Sequence, residues 1–314
     1  MQYAVVFPGQ GSQFCGMLAD CFEHMPQVAT VFEEASDVLG YDMKALVLTG
    51  PESQLNQTEF TQPALLTAGY ALWQQWQTVA SAAPRYLAGH SLGEYTALVC
   101  GGAISFSEGL SLVQKRGQLM QQAVPAGTGA MAAVLGLSEL EIAQICEQVA
   151  EGEIVSPANF NAIGQTVIAG TAAAVERAAL ALKAQGAKKV LPLPVSVPSH
   201  CALMNSIRPA FSEAIAQCTW TLPTIPVLHN ATVAAADSVS ALQTALIDQL
   251  SQPVRWVESI QWLAAQGITQ CLECGPNKVL QGLIKRIDAT LQTLPLQTTA
   301  EMLQAAELCG VSSK

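Results

Sequence analysis

The residues in this 314-residue sequence that are best suited to chemistry begin with a serine between two glycines. Gly89, Ser91 and Gly93 form the pattern Gly-x-Ser-x-Gly, which is typical of a strand-turn-helix elbow that exposes a nucleophilic serine. An apolar run ends at Gly89, and a helix-like run begins at Glu94. Small residues at these positions permit a turn that larger side chains would block. The sequence therefore predicts a nucleophile at Ser91, and the alternative is a Gly-Ser turn without chemistry.

A serine nucleophile needs a base, and the sequence offers four histidines. His200 follows a stiff, proline-rich stretch where a small module should meet the main domain, a usual place for a cleft. His24 lies in a predicted helix with no partner pattern, and His90 adjoins the serine and cannot readily fold back onto it. We expect His200 to be the base, with His229 as a weaker rival.

The third candidate residue is Arg116, in a helix predicted over residues 107–122. It lies in the centre of an apolar stripe that repeats at three- and four-residue steps, formed by Leu112, Val113, Leu119 and Met120. A guanidinium at such a position either reaches to solvent from a boundary or points inward. The inward orientation would pair it with a carboxylate that arrives with the substrate.

The elements that would position these residues alternate between strands and helices, which favours an α/β fold. Over residues 129–193 the predicted order is β-α-β-β-α-β, that of a ferredoxin-like module. The sequence thus predicts a core domain of residues 1–125 and 197–314 with an inserted subdomain of residues 126–196. Thr61 and Pro63 predict the start of a helix that runs to about Trp76.

The loop of residues 8–13 follows the first predicted strand and contains Gly9 and Gly11. A dinucleotide-binding loop would need a third glycine where Phe14 stands, so we reject a cofactor of that kind. A loop that brings backbone amides to an active site is the better interpretation.

Composition excludes several classes of protein. Half of the residues are hydrophobic and 12% are charged, which is typical of a compact globular protein. The net charge of −10 and the lack of a basic run argue against nucleic-acid binding. The first residues carry no basic leader, and no stretch approaches the length of a membrane span. We therefore expect a cytoplasmic protein without a membrane partner.

The nine cysteines are scattered at irregular spacings, so a disulfide framework is not expected. Cys271 and Cys274 lie three residues apart in a predicted strand, where they would point to opposite faces. No second pair follows at zinc-binding spacing. We expect buried structural thiols, and neither a metal nor a cofactor.

With these residues identified, the chain closely resembles the bacterial malonyl-CoA:acyl carrier protein transacylases, acyltransferases of fatty acid and polyketide synthesis. The resemblance runs nearly end to end and is carried by several long motifs in the right order. These motifs occupy residues 8–13 (Pro-Gly-Gln-Gly-Ser-Gln), 89–95 (Gly-His-Ser-Leu-Gly-Glu-Tyr), 114–117 (Gln-Lys-Arg-Gly), 194–200 (Pro-Val-Ser-Val-Pro-Ser-His) and 273–276 (Glu-Cys-Gly-Pro).

The resemblance implies a hydrolase-like core with a parallel sheet plus the ferredoxin-like subdomain. It implies malonyl-CoA and acyl carrier protein as partners of a monomer, and an exchange through a malonyl-serine ester. The implied site residues are the nucleophile Ser91, its base His200, the oxyanion-hole amides of Gln10 and Leu92, the carboxylate-binding Arg116, and Gln249, whose main-chain carbonyl would orient the histidine. A carbonyl suffices for that task because an acceptor at Nδ1 fixes the tautomer of the imidazole.

Two departures from the family pattern bear on the expected rim of the site. Residues 250–253 read Leu-Ser-Gln-Pro where relatives commonly carry Tyr-Asn before the proline, and Asn277 replaces a usual glycine. The resemblance also implies an acidic carrier protein, for which the paired cations available are Lys188, Lys189, Lys285 and Arg286.

Three alternatives stay open. A serine esterase or thioesterase would share the elbow, but it would normally add an acidic residue and would gain nothing from Arg116. An acyltransferase of a polyketide or polyunsaturated fatty acid pathway would share the whole set of residues. A catalytically silent domain that only docks a carrier protein would be expected to lack one of the serine, histidine and arginine.

Overall fold

A computed structural model describes residues 2–125, 127–194 and 197–311. Its strands are, in chain order, β1 (Tyr3–Phe7), β2 (Tyr86–Gly89), β3 (Gly129–Leu135), β4 (Val155–Ala162), β5 (Gln165–Thr171), β6 (Lys189–Pro192), β7 (Val227–Leu228), β8 (Gln270–Glu273) and β9 (Gln292–Pro295). Val195 and Ser196 of the 194–200 motif lie outside the described residues, as does Ala126 at the predicted subdomain boundary.

The helices complete the alternating pattern that the sequence predicts. They are α1 (Ala19–His24), α2 (Pro26–Leu39), α3 (Met43–Thr49), α4 (Glu52–Leu55), α5 (Thr58–Val79), α6 (Leu92–Cys100), α7 (Phe106–Ala123), α8 (Glu139–Val149), α9 (Ala172–Ala184), α10 (Arg208–Ala216), α11 (Val239–Gln249), α12 (Trp256–Ala265), α13 (Val279–Ile287) and α14 (Thr299–Cys309). A 3-10 helix, Ala202–Ile207, precedes α10. Within the described ranges, no helix is both long and apolar enough to cross a membrane.

The larger sheet is parallel and has the strand order β7-β2-β1-β8-β9. Phe7 pairs with Gly89, and Val6 pairs with Glu273, so β1, β2 and β8 end at the same edge. The carboxyl edge of a parallel sheet is where α/β proteins place their ligands. The loops after these strands carry the 8–13, 89–95 and 273–276 motifs to that edge.

The side chains of β1 divide between two layers of core because successive strand residues point to opposite faces. Tyr3 and Phe7 pack with Trp73 and the helical layer that includes α2, α5 and α7. Ala4 and Val6 pack on the other face with Trp256. The strand is buried on both faces, as expected for the centre of a parallel sheet.

The smaller sheet is antiparallel, with the order β4-β5-β3-β6. Its elements follow the chain as β3-α8-β4-β5-α9-β6, the order that the sequence predicts. Helices α8 and α9 cover one face, where Ile142 and Leu182 are buried against Val134 and Ile168. Ser138 and Glu141 form the predicted capping box at the start of α8.

The predicted start of α5 is wrong by four residues, because the N-cap is Gln57 and not Thr61. The helix begins at Thr58, and Thr61 and Pro63 lie inside it. The hydroxyl of Thr61 bonds to the carbonyl of Leu55 at 2.6 Å and does not cap the helix. Pro63 has no N–H group, so the helix lacks one backbone hydrogen bond at this position. Most of the first half of α5 is buried, and this packing offsets the loss.

The cysteines are free thiols, and Cys271 and Cys274 lie on opposite faces of the larger sheet, as their spacing predicts. Cys271 packs among the residues around Trp256, whereas Cys274 packs in the core that contains Phe7. Burial raises the pKa of the Cys271 thiol to about 12, so this thiol stays protonated and unreactive at neutral pH.

Candidate active site

Ser91 occupies a strained turn between β2 and α6. Its φ of 52° and ψ of −109° lie in a region that side-chain-bearing residues rarely adopt. The two flanking glycines make the turn possible: a Cβ on Gly89 would lie 1.8 Å from the carbonyl carbon of Gly93, and one on Gly93 would lie 2.0 Å from the carbonyl oxygen of Phe7. Gly89 is therefore required by the tightness of the turn itself, and Gly93 by the close approach of the turn to β1.

His200 lies beside the serine, as the sequence predicts. The hydroxyl oxygen of Ser91 is 2.7 Å from Nε2 of His200, and Nδ1 of His200 is 2.7 Å from the main-chain oxygen of Gln249. A carbonyl can only accept, so Nδ1 must carry the proton and Nε2 must present its lone pair to the serine. This is the tautomer that a general base for Ser91 requires.

His200 is almost completely buried, with 1% of its surface exposed. Burial first, and the positive charge of Arg116 second, lower its pKa from 6.5 to about 3. The imidazole is therefore neutral over the whole physiological range. A neutral imidazole is the form that can accept a proton from serine.

Two amide side chains hold the strained backbone of Ser91. The Oδ1 of Asn230 accepts the N–H of Ser91 at 2.7 Å, and the Nε2 of Gln249 donates to the carbonyl of Ser91 at 2.9 Å. Asn230 also donates through Nδ2 to the carbonyl of Gly89 at 2.6 Å. The turn is thus fixed from both sides by residues that are distant in sequence.

Arg116 points inward, in agreement with its position on the apolar stripe of α7. Only 1% of its surface is exposed. Nη1 donates to the Oε1 of Gln62 at 2.9 Å, Nη2 donates to the Oε1 of Gln249 at 3.0 Å, and the guanidinium lies 5.1 Å above the ring of Tyr95. Within the described residues, Nε has no hydrogen-bond partner and no carboxylate forms an ion pair with this arginine. The cation is therefore held by neutral oxygens, with its charge uncompensated by an adjacent anion.

Ser91, His200 and Arg116 open into one cavity of about 520 Å³ between the two sheets. Gln10 and Leu92, the predicted oxyanion-hole residues, line the same cavity. Leu92 is the first residue of α6, and N–H groups of the first helical turn have no acceptor in their own helix. Other lining residues come from the smaller sheet and from the segment before His200: Met131, Asn159, Asn161, Val167, Leu193, Pro194, Val197 and Ser199.

The other histidines have partners of their own. Nδ1 of His229 lies 2.7 Å from Oε1 of Glu94, and Nε2 of His90 lies 2.7 Å from Oδ1 of Asn161. His24 bonds through Nδ1 to the carbonyl of Asp20. In the described part of the chain, His200 is the histidine that contacts the serine hydroxyl.

The main residue that sequence reasoning missed is Glu94. Its side chain is fully buried and contacts both Asn230 and Gln249, the two residues that hold the turn. A signal was present, because Glu94 is the one charged residue in a helix whose nine residues are all buried. Its partners could not be read from the sequence because they lie 135 to 155 positions away.

The two departures from the family pattern occupy different places. The carbonyl of Leu250 accepts the N–H of His200 at 3.1 Å, so that segment adjoins the site through its backbone. Asn277 has a φ of 66°, a left-handed conformation that asparagine tolerates better than most residues. It lines a separate groove with Phe14, Pro276 and Gln297, not the cavity of Ser91.

Comparison with known proteins gives a consistent result. The model of the acyl transferase domain family matches residues 4–308. The chain is 53% identical over 307 residues to malonyl CoA-acyl carrier protein transacylase of Escherichia coli (strain K12), covering 98% of this chain and 99% of the relative. It is 41% identical to the protein of the same name from Bacillus subtilis (strain 168), over 93% of this chain and 92% of that protein.

Solved structures agree with the sequence relatives. The malonyl CoA-acyl carrier protein transacylase of Coxiella burnetii superposes with a TM-score of 0.97 at 50% identity, covering 98% of this chain and 97% of that one. A malonyl-transacylase solved in complex with its type II polyketide synthase acyl-carrier protein superposes with a TM-score of 0.96 at 51% identity, covering 98% and 100%.

Proposed function

Because the chain belongs to the acyl transferase domain family, we propose that it transfers a malonyl group from malonyl-CoA to the phosphopantetheine thiol of acyl carrier protein. The observation that carries the proposal is a buried, anion-free Arg116 in the same cavity as the Ser91–His200 pair. A buried guanidinium with neutral acceptors is completed by a carboxylate, and a malonyl group brings one.

The reaction proceeds in two balanced steps. His200 Nε2 takes the proton of Ser91 as the serine oxygen bonds to the thioester carbon, and that proton then passes to the departing CoA sulfur. The carrier thiol then gives its proton to His200 as its sulfur bonds to the carbonyl carbon of the malonyl ester. The bond from that carbon to the Ser91 oxygen breaks, and His200 returns the proton to this oxygen. The carbonyl of Gln249 holds His200 in the required tautomer throughout.

Negative charge develops on the carbonyl oxygen of the malonyl thioester in the first step and of the malonyl-serine ester in the second. The backbone amides of Gln10 and Leu92 receive that charge at the edge of the sheet. Arg116 binds both oxygens of the malonyl carboxylate with its planar fork. The mechanism uses these side chains and amides and needs no cofactor.

Arg116 also separates this function from hydrolysis of neutral esters. An acetyl or longer neutral acyl group would leave the guanidinium without an anion, whereas malonyl satisfies it. The likeness to a malonyl-transacylase in complex with its polyketide acyl-carrier protein makes polyketide synthesis the alternative to fatty acid synthesis. The rates of malonyl transfer to a fatty acid carrier and to a polyketide carrier decide between the two pathways.

The architecture is described most simply as a hydrolase-like core of residues 1–125 and 197–314 with a ferredoxin-like subdomain of residues 126–196. The order of the antiparallel sheet supports this description of the subdomain.

We place the enzyme in the cytoplasm as a monomer, without nucleic acid or membrane partners. Nine free thiols suit a reducing compartment, and the net charge of −10 disfavours nucleic acid.

The test is the covalent intermediate. The protein is mixed with malonyl-CoA in the absence of carrier, and the intact mass is measured. The wild type and a Ser199→Ala control, which alters another serine of the same cavity, gain one malonyl group, whereas Ser91→Ala gains none. An adduct on Ser91→Ala would contradict the mechanism.

A further inference from the structure

The buried carboxylate of Glu94 lies behind the site and does not line the cavity. Glu94 is fully buried in α6, and its oxygens receive three N–H groups. Oε1 lies 2.7 Å from Nδ1 of His229, and Oε2 accepts from the backbone N–H of Asn230 and from Nε2 of Gln249, each at 2.9 Å. This set of donors stabilises a charged carboxylate in an apolar helix.

The contact between Glu94 and Gln249 determines which way the side-chain amide of Gln249 faces. Its NH₂ end donates to Glu94 and to the carbonyl of Ser91, both of which can only accept. Its oxygen end accepts from Nη2 of Arg116 at 3.0 Å. Because an amide has one donor end and one acceptor end, acceptors on the first side force the oxygen toward Arg116.

The result is an ordered row of a carboxylate, an amide and a guanidinium, all buried. The amide dipole is aligned with both charges, which strengthens each hydrogen bond in a medium of low dielectric constant. Glu94 thereby offsets part of the charge of Arg116 without forming the ion pair that would compete with a substrate carboxylate.

We propose that Glu94 is a positioning residue for acyl selectivity, which acts through the side chain of Gln249 to hold Arg116 ready for a carboxylate on the acyl group. The inference rests on the proposed function, since it adds to the same site a residue that acts on Arg116 from behind the cavity. It gives Gln249 two separate tasks: the main-chain carbonyl orients His200, and the side-chain amide orients Arg116.

A merely structural role for Glu94 would lower all acyl transfer alike. Positioning of Arg116 would lower malonyl transfer more than acetyl transfer, because acetyl carries no carboxylate. The ratio of the two rates of Ser91 acylation, measured with malonyl-CoA and acetyl-CoA by intact mass, separates the two roles.

The experiment compares Glu94→Gln, Gln249→Met and the double variant. Glu94→Gln keeps the shape but removes the charge, so the hold on Gln249 weakens, and the malonyl-to-acetyl ratio should fall on the order of tenfold. Gln249→Met keeps the main-chain carbonyl and removes the amide, so it should lower the ratio at least as much. In the double variant Glu94→Gln should have no further effect on the ratio, because the amide that connects Glu94 to Arg116 is already absent.

The matched control is His229→Gln, which disturbs another contact of Glu94 and leaves the contact with Gln249 in place. Its ratio should stay within a factor of about two of the wild type. Should Glu94→Gln prove unable to fold, a lower ratio for Gln249→Met than for His229→Gln would still support the proposal.

Equal loss of both acyl groups in Glu94→Gln, or additive effects in the double variant, would overturn the positioning role. Such results would leave the proposed function intact if the wild type still forms the malonyl adduct. Failure of the wild type to form that adduct would overturn the proposed function and this inference together.

Discussion

Arg116 and His200 are joined through one residue, Gln249, whose side-chain oxygen accepts from the guanidinium while its main-chain oxygen accepts from the imidazole. The charge of Arg116 is therefore close enough to affect the titration of His200. Burial and this charge, in that order, lower the pKa of His200 to about 3. Arg116 and His200 are thus electrostatically coupled.

This coupling predicts the pH dependence of acylation. His200 acts as a base only when neutral, so a lowered pKa keeps it active well below pH 6.5. Burial and the charges of Arg116 and His90 all lower this pKa, and Arg116→Ala removes one of these three influences. The acid limb of the pH–rate profile should therefore move to higher pH. The limb is measured as the rate of Ser91 acylation by acetyl-CoA, which does not need the arginine.

Arg208→Ala is the control for that experiment, because Arg208 bonds to Ser251 and pairs with Asp248 near the same segment. Its acid limb should coincide with that of the wild type. An unmoved limb in Arg116→Ala would show that the charge of Arg116 does not affect the pKa of His200.

Arg116 should also determine acyl selectivity. Arg116→Ala leaves the malonyl carboxylate without its partner, and loss of one member of such a pair typically costs about 2–5 kcal/mol, or roughly 30- to several thousand-fold. Acetyl transfer should hold or rise. Arg116→Lys keeps the charge but not the planar fork, so it should recover part of the malonyl rate. If malonyl and acetyl rates fall equally in Arg116→Ala, the arginine is structural.

The carrier protein should dock on cations at one end of the smaller sheet. Lys189 pairs across the sheet with Leu135, which pairs with Gln165, and the Oε1 of Gln165 accepts from Arg286 at 2.6 Å. Lys188 and Lys285 are their neighbours in sequence. We expect Lys189→Glu and Arg286→Glu to raise the KM for the carrier and to weaken its salt dependence.

Lys44→Glu serves as the control for docking, because Lys44 is a cation in α3 that lies against Phe22. It should leave the carrier KM and its salt dependence unchanged. Equal effects of Lys44→Glu and Lys189→Glu would indicate a general effect of net charge, and the docking surface would have to lie elsewhere.

Glu273 should make stability depend on pH. Its oxygens accept the N–H groups of Leu280 and Gln281, but burial is the larger influence and raises its pKa from 4.5 to about 7. The folded protein therefore holds a proton that the unfolded chain releases above pH 4.5. The contribution of this group to the free energy of unfolding is full below pH 4.5 and is lost as pH rises through 7.

Thermal unfolding at pH 5 and pH 8 tests this dependence. Glu273→Gln cannot titrate, so its melting temperature relative to the wild type should be higher at pH 8 than at pH 5. A constant difference between the two proteins across this range would mean that the buried carboxyl does not take up a proton on folding.

The sequence by itself determined the parts of this protein that depend on neighbours along the chain. The glycines around Ser91 predict the turn because their spacing is set by the close approach of the turn itself. The apolar stripe of α7 predicts the inward orientation of Arg116 because helical periodicity is local. The alternation of strands and helices predicts the α/β class for the same reason.

Only the tertiary structure decided how these parts act together. Gln249 is 158 positions from Ser91 and 133 from Arg116, and nothing local indicates that one amide bonds to both. Glu94 is the one charged residue of an otherwise uncharged helix, but its burial and its partners depend on how α11 and the end of β7 pack against α6. The start of α5 at Thr58 also differs from the local capping prediction, because tertiary context can outweigh a local preference.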